Sequence, residues 1–334
     1  MSCWFNPSKL KSTIAISTRV RLARNIKGIP FPSRMTPEDF KTVNDLVRLA
    51  IDDCDEPIAK KLKFISMENV PEIERFAMVE RHIISKNFAL NYQNRAIIIS
   101  DDESICIMLG EEDHIRIQVL LDAVQIETAY NIANNIDNIL CEKLDIAFDD
   151  RLGFLTECPT NIGTGLRASV MLHLPMIENE GEMKSISNNI QKKGFTVRGM
   201  YGEGTKALAS FYQISNQITL GMSENDAIKY LKMVTIQLME KENWYRKRID
   251  SVKLEDQAMR SYGILKNARI LTSAELLSRI SDILLGTWLG AIDCKTSPLE
   301  LLVKGQPYML MKKVGEMSPD ARDIERANMV RNLL

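Results

Sequence analysis

Five arginines carry the most chemically suggestive pattern in this 334-residue sequence. They are Arg19 and Arg21 in S-T-R-V-R, Arg116 in G-E-E-D-H-I-R, Arg167 in G-T-G-L-R-A-S-V and Arg198 in V-R-G-M-Y-G-E-G. Arginine presents a planar fork of donors that matches phosphate oxygens and stays charged at any working pH. Several such forks around one cleft can clamp a polyphosphate. Carboxylates are interleaved with them: Glu111 and Glu112 precede Arg116, and Glu203 lies between Gly202 and Gly204. A carboxylate suits a cation, or a guanidinium that it holds at two points and deprotonates.

Each residue also has a plain structural reading. Arg19 and Arg21 are two apart, so an extended segment points both to one side, which fits a phosphate grip or a solvated edge strand. Arg116 sits mid-strand between His114 and Gln118, opposite the aliphatic Ile115, Ile117 and Val119. A phosphate or a structural salt bridge would satisfy it equally. Adjacent acids at a strand end are commonly solvated. The glycines around Glu203 allow close backbone approach or simple flexibility. Cys158, at a strand–loop junction, is either an inert buried thiol or one acidified by nearby arginines. Gly163 and Gly165, just after it, hint at a phosphate-cradling loop.

The elements that must position these residues are legible in outline. Thr36-Pro37-Glu38-Asp39 is a helix start, with helix expected to about Asp52. R-A-I-I-I-S and S-I-C-I-M-L-G read as strands joined through Asp101-Asp102-Glu103. H-I-R-I-Q-V-L alternates as a strand with one polar face, and L-R-A-S-V-M-L-H-L repeats this, placing Arg167, Ser169, Met171 and His173 on one side. F-Y-Q-I-S-N-Q-I-T-L is expected to be a hairpin turning near Ser215-Asn216. Helices are expected over 121–144 and from Glu224 to about Arg248. Beyond Ser251 only helices are expected, one capped at Thr272 or Ser273 and a last one opening at Ser318-Pro319, with Ile324, Ala327, Val330 and Leu334 on its apolar stripe. The expected architecture is α+β, with residues 1–250 built on an antiparallel sheet flanked by helices and residues 251–334 forming an all-helical domain.

Composition sets outer bounds. Lys+Arg 43 against Asp+Glu 44 argues against a general nucleic-acid binder. The six cysteines (Cys3, Cys54, Cys106, Cys141, Cys158 and Cys294) contain no C-x-x-C pair and read as reduced thiols of a cytoplasmic protein. No stretch is long enough to span a membrane, and no dedicated metal-ligand set is apparent. A G-x-x-x-x-G-K-[ST] loop, an H-R-D loop, a D-F-G and a G-x-S-x-G elbow are all absent. If ATP binds, arginines must hold it in place of the P-loop lysine.

Taken together, S-T-R-V-R, E-E-D-H-I-R, C-P-T-N-I-G-T-G-L-R and R-G-x-x-G-E, in that order from Ser17 to Glu203, resemble the phosphagen (guanidino) kinase family. The resemblance implies an antiparallel, glutamine-synthetase-like sheet and transfer of the γ-phosphoryl group of ATP, with Mg²⁺, to a guanidinium nitrogen. It gives Arg19, Arg21, Arg116, Arg167 and Arg198 to the ATP phosphates. Around them, Ser17, Thr18, Val20, Ala168, Ser169, Val170, Met171, Gly199, Met200, Tyr201 and Gly202 fall within the nucleotide-binding strings, and His82 in E-R-H-I-I-S matches a nucleotide contact. Glu112 becomes the guanidinium-binding base, Glu203 the second carboxylate, and Cys158 the cysteine beside the guanidinium.

Two departures point to the family's protein-arginine-kinase branch. Members that act on free arginine or creatine carry a helical domain before the S-T-R-V-R segment, whereas Met1–Ile16 precede it here. This chain also reads G-E-E-D-H and R-G-M-Y-G-E-G where those members read N-E-E-D-H and R-G-T-R-G-E-H. The string R-D-I-E-R-A, from Arg322 to Ala327, resembles that branch's phosphoarginine-binding signature and implies a pocket of Arg322, Asp323 and Arg326. A solvated helix face with an internal ion pair reads the same residues without it. The resemblance further implies protein substrates bearing arginine, among them a transcriptional repressor and misfolded proteins bound for a Clp-type AAA+ protease. It also implies a zinc-binding activator protein, a homodimer and a role in stress response. The alternatives are a free-arginine kinase and a non-catalytic phosphoarginine-binding adaptor.

Overall fold

The structure, a computed structural model, describes residues 4–5, 12–199 and 208–334. The chain divides into two compact units. The first holds Ser17–Val170 and Ser215–Met233; the second gathers the described residues of Trp4–Ile16, Met171–Ile214 and Val234–Leu334. Three strands and a long helix each begin in one unit and end in the other.

The first unit is built on strands β1 (Ala15–Arg24), β2 (Leu62–Ser66), β3 (Ala96–Ser100), β4 (Ile105–Leu109), β5 (Ile115–Asp122) and β8 (Leu166–His173), with a small separate hairpin of β6 (Phe148–Asp149) and β7 (Gly153–Phe154). The sheet order is β2-β3-β4-β5-β1-β8. Antiparallel register places Met108 opposite Arg116, Arg116 opposite Ala23, and Gln118 opposite Arg21. Because side chains alternate along a strand, Arg19, Arg21, Arg116 and Gln118 share one face, while Val20, Leu22, Ile115 and Ile117 are buried on the other.

Helices α1 (Pro37–Asp52), α2 (Glu72–Glu80), α3 (Lys86–Leu90) and α4 (Ile126–Lys143) complete the unit. The Thr36 hydroxyl and the Asp39 carboxylate form a reciprocal capping box at the start of α1. Helix α4 packs on β5, burying Ala129, Ala133, Ile136 and Leu140. It starts later than the sequence pattern indicates, because Leu121 and Asp122 still pair with Thr18 and Ser17. The Thr18 hydroxyl then closes the turn, donating to Ala123 O at 2.6 Å and accepting from Gln125 N at 3.0 Å.

From α4, Asp137 meets Arg24 at 2.7 Å; both are buried, and the Arg24 guanidinium also lies 3.4 Å from the Phe154 ring centroid. Removing one partner of such a pair typically costs about 3–5 kcal/mol. On the arginine face, Met67, Ile83, Phe88, Cys106 and Met108 form a second small core that covers one end of the sheet and leaves Arg116 at its rim.

The second unit contains helices α5 (Pro175–Asn179) and α6 (Met183–Gln191), strands β9 (Phe195–Gly199) and β10 (Phe211–Asn216), and the run α7 (Glu224–Arg246), α8 (Ser251–Asn267), α9 (Ser273–Leu289), α10 (Pro298–Lys304), α11 (Pro307–Val314) and α12 (Pro319–Leu333). Here the end of β8 neighbours β10, which neighbours β9. The hairpin expected at Ser215-Asn216 does not form. The Asn216 amide takes the place of a strand residue, accepting from Ala168 N and donating to Leu166 O, both at 2.8 Å, and the chain then turns away.

Met176, Leu254 and Leu285 form an apolar cluster in this unit. Beside them runs a buried polar chain. Glu242 accepts from Met176 N and Ile177 N and pairs with Arg246 at 2.8 Å; Arg246 reaches Thr13 Oγ1 and His173 Nδ1, and His173 Nε2 meets Ser281 Oγ at 2.7 Å. Helix α12 differs from its sequence reading. Ile324 is exposed, whereas Arg326 is buried beside Ala327 and Val330. Its Nε donates to Gly305 O at 2.6 Å, one Nη to Leu271 O at 2.7 Å, and it pairs with Asp323. Three acceptors inside the fold make this burial tolerable. Among the described residues no helix is long and apolar enough to cross a membrane.

Candidate active site

One cavity of about 120 Å³ in the first unit is lined by Arg21, Arg116, Arg167, Glu112, Asp113 and Asn161, with Leu22, Ala23 and Gly165. Three of the arginines separated by nearly 150 residues therefore meet at one place, together with the exposed Glu112. Arg19 lies close enough to join their field. Burial, then Arg116 and Arg167, push its guanidinium down to about 10. Burial, then the charges of Arg19, Arg116 and Arg167, hold Arg21 well below the ordinary arginine range, against a smaller opposing pull from Glu111. Arg19 Nε and Arg21 Nε are buried and meet no hydrogen-bond acceptor among the described residues. A core does not gather like charges in this way without an anion to answer them. Triphosphate oxygens, which accept bidentate guanidinium bonds, fit this donor set.

The two adjacent glutamates have different environments. Glu111 is buried, accepts from Ser85 Oγ at 2.6 Å and pairs with Arg116. Burial raises its pKa, but Arg116, the Ser85 hydrogen bond and Arg21 together outweigh that and hold it below the usual carboxylate range. It fixes Arg116 in place. Glu112 is exposed on the cavity wall.

The next two residues lock the segment. Asp113, buried, accepts from Asn25 Nδ2 at 2.7 Å and Glu157 N at 2.8 Å; burial raises its pKa. His114 Nδ1 accepts from Ile26 N at 3.0 Å, so the ring proton sits on Nε2, which donates to Pro30 O at 2.6 Å. Burial lowers the His114 pKa. Glu112 thus projects from a segment bolted down on both sides.

His82 has φ +62, a left-handed conformation uncommon for a residue with a Cβ. Gln118 Nε2 holds this turn by donating to His82 O and Ile83 O, each at 2.9 Å. Burial and Arg19 depress the His82 pKa to about 4, so its ring is neutral beside the arginines.

The loop after Cys158 closes the cavity. A Cβ on Gly165 would meet Ala23 O at 2.6 Å, and one on Gly163 would meet Thr219 O at 2.3 Å. Both glycines are required by close backbone packing, which sets Asn161 and Gly165 against the arginines. Cys158 caps the short turn Pro159–Asn161, its Sγ 3.0 Å from Thr160 Oγ1, and does not line the cavity.

The remaining residues fall in several places. Thr18, Val20, Ala168 and Val170 are buried with their side chains in the core, Ser17 and Ser169 are buried polar residues, and Met171 is half-buried on β8. Arg198 and Gly199 lie on β9 of the second unit. Met200, Tyr201, Gly202 and Glu203 lie outside the described residues. On α12, Arg322 and Asp323 are half-buried, while Arg326 serves the fold as described above. Sequence reading missed Ser85, Asn25 and Asn161. Of these, only Asn161 carried a signal, its position inside C-P-T-N-I-G-T-G.

A family model described as "ATP:guanido phosphotransferase, C-terminal catalytic domain" matches residues 42–245, and one described as "Protein-arginine kinase McsB C-terminal domain" matches residues 251–334. A protein-arginine kinase of Clostridium acetobutylicum is 42% identical over 342 residues, covering 100% of both chains. One from Syntrophomonas wolfei is 43% identical over 342 residues, covering 99% of this chain and 94% of its own. Among solved structures, lombricine kinase matches with a TM-score of 0.61 at 22% identity, over 73% of this chain and 71% of that one. The duplicated taurocyamine kinase from Schistosoma mansoni with bound transition state analog components matches with a TM-score of 0.62 at 26% identity, over 79% of this chain and 38% of that one.

Proposed function

The chain belongs to the ATP:guanido phosphotransferase family, with a C-terminal part of the protein-arginine-kinase type, and from that premise we propose how its own residues perform the reaction. It is an ATP-dependent protein-arginine kinase, moving the γ-phosphoryl group of ATP to the guanidinium of arginine side chains in proteins. The observation that carries the site assignment is the like-charged group of Arg19, Arg21, Arg116 and Arg167 with Glu112 on the same cavity wall.

In this reading Arg19, Arg21, Arg116 and Arg167 bind the triphosphate and oppose charge on the transferring group, a role the sequence resemblance also gives to Arg198. Mg²⁺, arriving with the nucleotide, supplies further neutralisation of phosphate charge. Glu112 accepts the acceptor guanidinium's hydrogen bonds, orients it and takes one N–H proton as the N–P bond forms and the bond to the β-phosphate oxygen breaks. Glu203 is the second carboxylate. Glu111 positions Arg116, His82 contacts the nucleotide as a neutral ring, and Cys158 shapes the acceptor side through its loop. Ser17, Thr18, Val20, Ala168, Ser169, Val170 and Met171 carry the clamp as strand residues, with Gly199 to Gly202 following Arg198.

We further propose residues 1–250 as the catalytic domain and 251–334 as a domain that binds phosphoarginine. There Arg322 takes the phosphate and Asp323 the guanidinium, with Arg326 holding Asp323. The sequence resemblance also supports action in the cytoplasm as a homodimer. It likewise supports a zinc-binding activator protein, a role in stress response, and substrates that include a transcriptional repressor and misfolded proteins bound for a Clp-type protease.

The test supplies Mg-ATP with either L-arginine or an unfolded basic protein, and maps products without acid, since the N–P bond is acid-labile. Phosphoarginine in the protein is expected; turnover of L-arginine alone would favour a free-arginine kinase.

A further inference from the structure

The small hairpin β6–β7 leaves Phe148 and Leu152 56% and 45% exposed, and the segment after β10 leaves Ile218 and Leu220 47% and 51% exposed. Single exposed apolar residues are ordinary, but a group of them marks a contact surface. These four come from two segments stacked against the cavity loop. A Cβ on Gly153 would meet Gly163 O at 2.5 Å, and one on Gly163 would meet Thr219 O at 2.3 Å and Leu220 Cα at 2.9 Å. Phe154 and Gly163 exchange backbone hydrogen bonds at 2.8 and 3.3 Å, and Thr219 Oγ1 donates to Thr160 O and Ile162 O. Hairpin, cavity loop and the 218–220 segment therefore form one backbone layer that continues into the wall formed by Asn161 and Gly165.

The charge around this layer has a sign. Asp149 and Asp150 at the hairpin tip are exposed, with Asp145 and Glu142 before them, against Lys143 and Arg151. The cavity at its edge presents the acid Glu112.

We infer that this layer is the docking surface for the acceptor polypeptide: an unfolded segment with net positive charge and apolar side chains next to the target arginine. The inference rests on the kinase reading and deepens it. Charge complementarity selects this occupant, since the segment must carry a cation toward Glu112 and the exposed acids around the hairpin outnumber Lys143 and Arg151 four to two. Exposed apolar side chains take up the residues that only an unfolded chain presents, so the site selects unfolded proteins over folded ones.

Two variants test it, Phe148→Ala with Leu152→Ala, and Asp149→Asn with Asp150→Asn. All four side chains are exposed, and asparagine keeps the Oδ1 that Asp149 offers to Arg151 N and Leu152 N. Binding of a labelled, unfolded, arginine-containing basic peptide is followed by fluorescence anisotropy, and turnover is followed separately. The apolar variant is expected to weaken peptide binding and raise acceptor KM about tenfold, with KM for ATP unchanged. The asparagine variant is expected to flatten the salt dependence of binding. Unchanged peptide affinity in both variants would overturn the inference, as would self-association lost in the apolar variant while peptide binding stays intact, which would assign the surface to a second copy. Failure of the kinase reading shows separately, as absence of phosphoarginine with the unaltered protein.

Discussion

At the scale of single residues, adjacent side chains of one type are separated by their surroundings. Glu111 is enclosed and paired with Arg116; Glu112 is exposed to the cavity. Glu111→Gln should lower the unfolding free energy by about 1–3 kcal/mol, because it leaves Arg116 without its counter-charge, and a urea titration measures this. The arginines give the opposite trade. Arg21 adds like charge to Arg19, Arg116 and Arg167, so Arg21→Met should leave the nucleotide-free protein as stable or up to about 1–2 kcal/mol more stable. The same variant should lose most of the thermal stabilisation conferred by tripolyphosphate in calorimetry. Residue types and order made Arg19, Arg21, Arg116, Arg167 and Glu112 legible in the sequence. The partners that fix them were not, since Ser85 and Asn25 are reached only through the tertiary fold.

At the scale of elements, strand parity does the sorting. Arg19 and Arg21 face the cavity side, while Arg24, an odd number of residues on, turns to the opposite face and pairs with Asp137. Alternation in H-I-R-I-Q-V-L foretold the face of Arg116, and the strand formed where expected. The hairpin at Ser215-Asn216 failed because a side-chain amide, invisible to periodicity, bonds the β8 backbone. The buried Arg326 failed similarly. Helical spacing alone cannot tell that carbonyls of Gly305 and Leu271 await an arginine. The loop glycines carry an element-scale expectation. Gly165 has φ +63 and touches the β1 backbone, so Gly165→Ala should destabilise by about 1–3 kcal/mol in urea unfolding and weaken triphosphate binding by displacing the loop from the clamp.

At the scale of the whole molecule, all three histidines are held below their ordinary pKa: His82 near 4, His114 lowered, and His173 well below, each chiefly by burial. The folded protein refuses protons that the unfolded chain accepts from about pH 6.5 downward. Stability is therefore unaffected above that pH and falls as the pH drops through it, by up to about 2 kcal/mol per histidine at pH 5. Urea midpoints from pH 7.5 to 5 should show a loss steeper than one proton; a flat profile would contradict the buried neutral assignments. The central claim is that Glu112, set in the arginine clamp, is the base for transfer to a protein arginine. The most direct measurement is single-turnover phosphorylation of an unfolded basic protein by the unaltered chain and by Glu112→Gln, with ATP affinity measured alongside. The expected result is equal ATP affinity with transfer slowed about 10²–10⁴-fold; transfer by Glu112→Gln at a near-normal rate would contradict it.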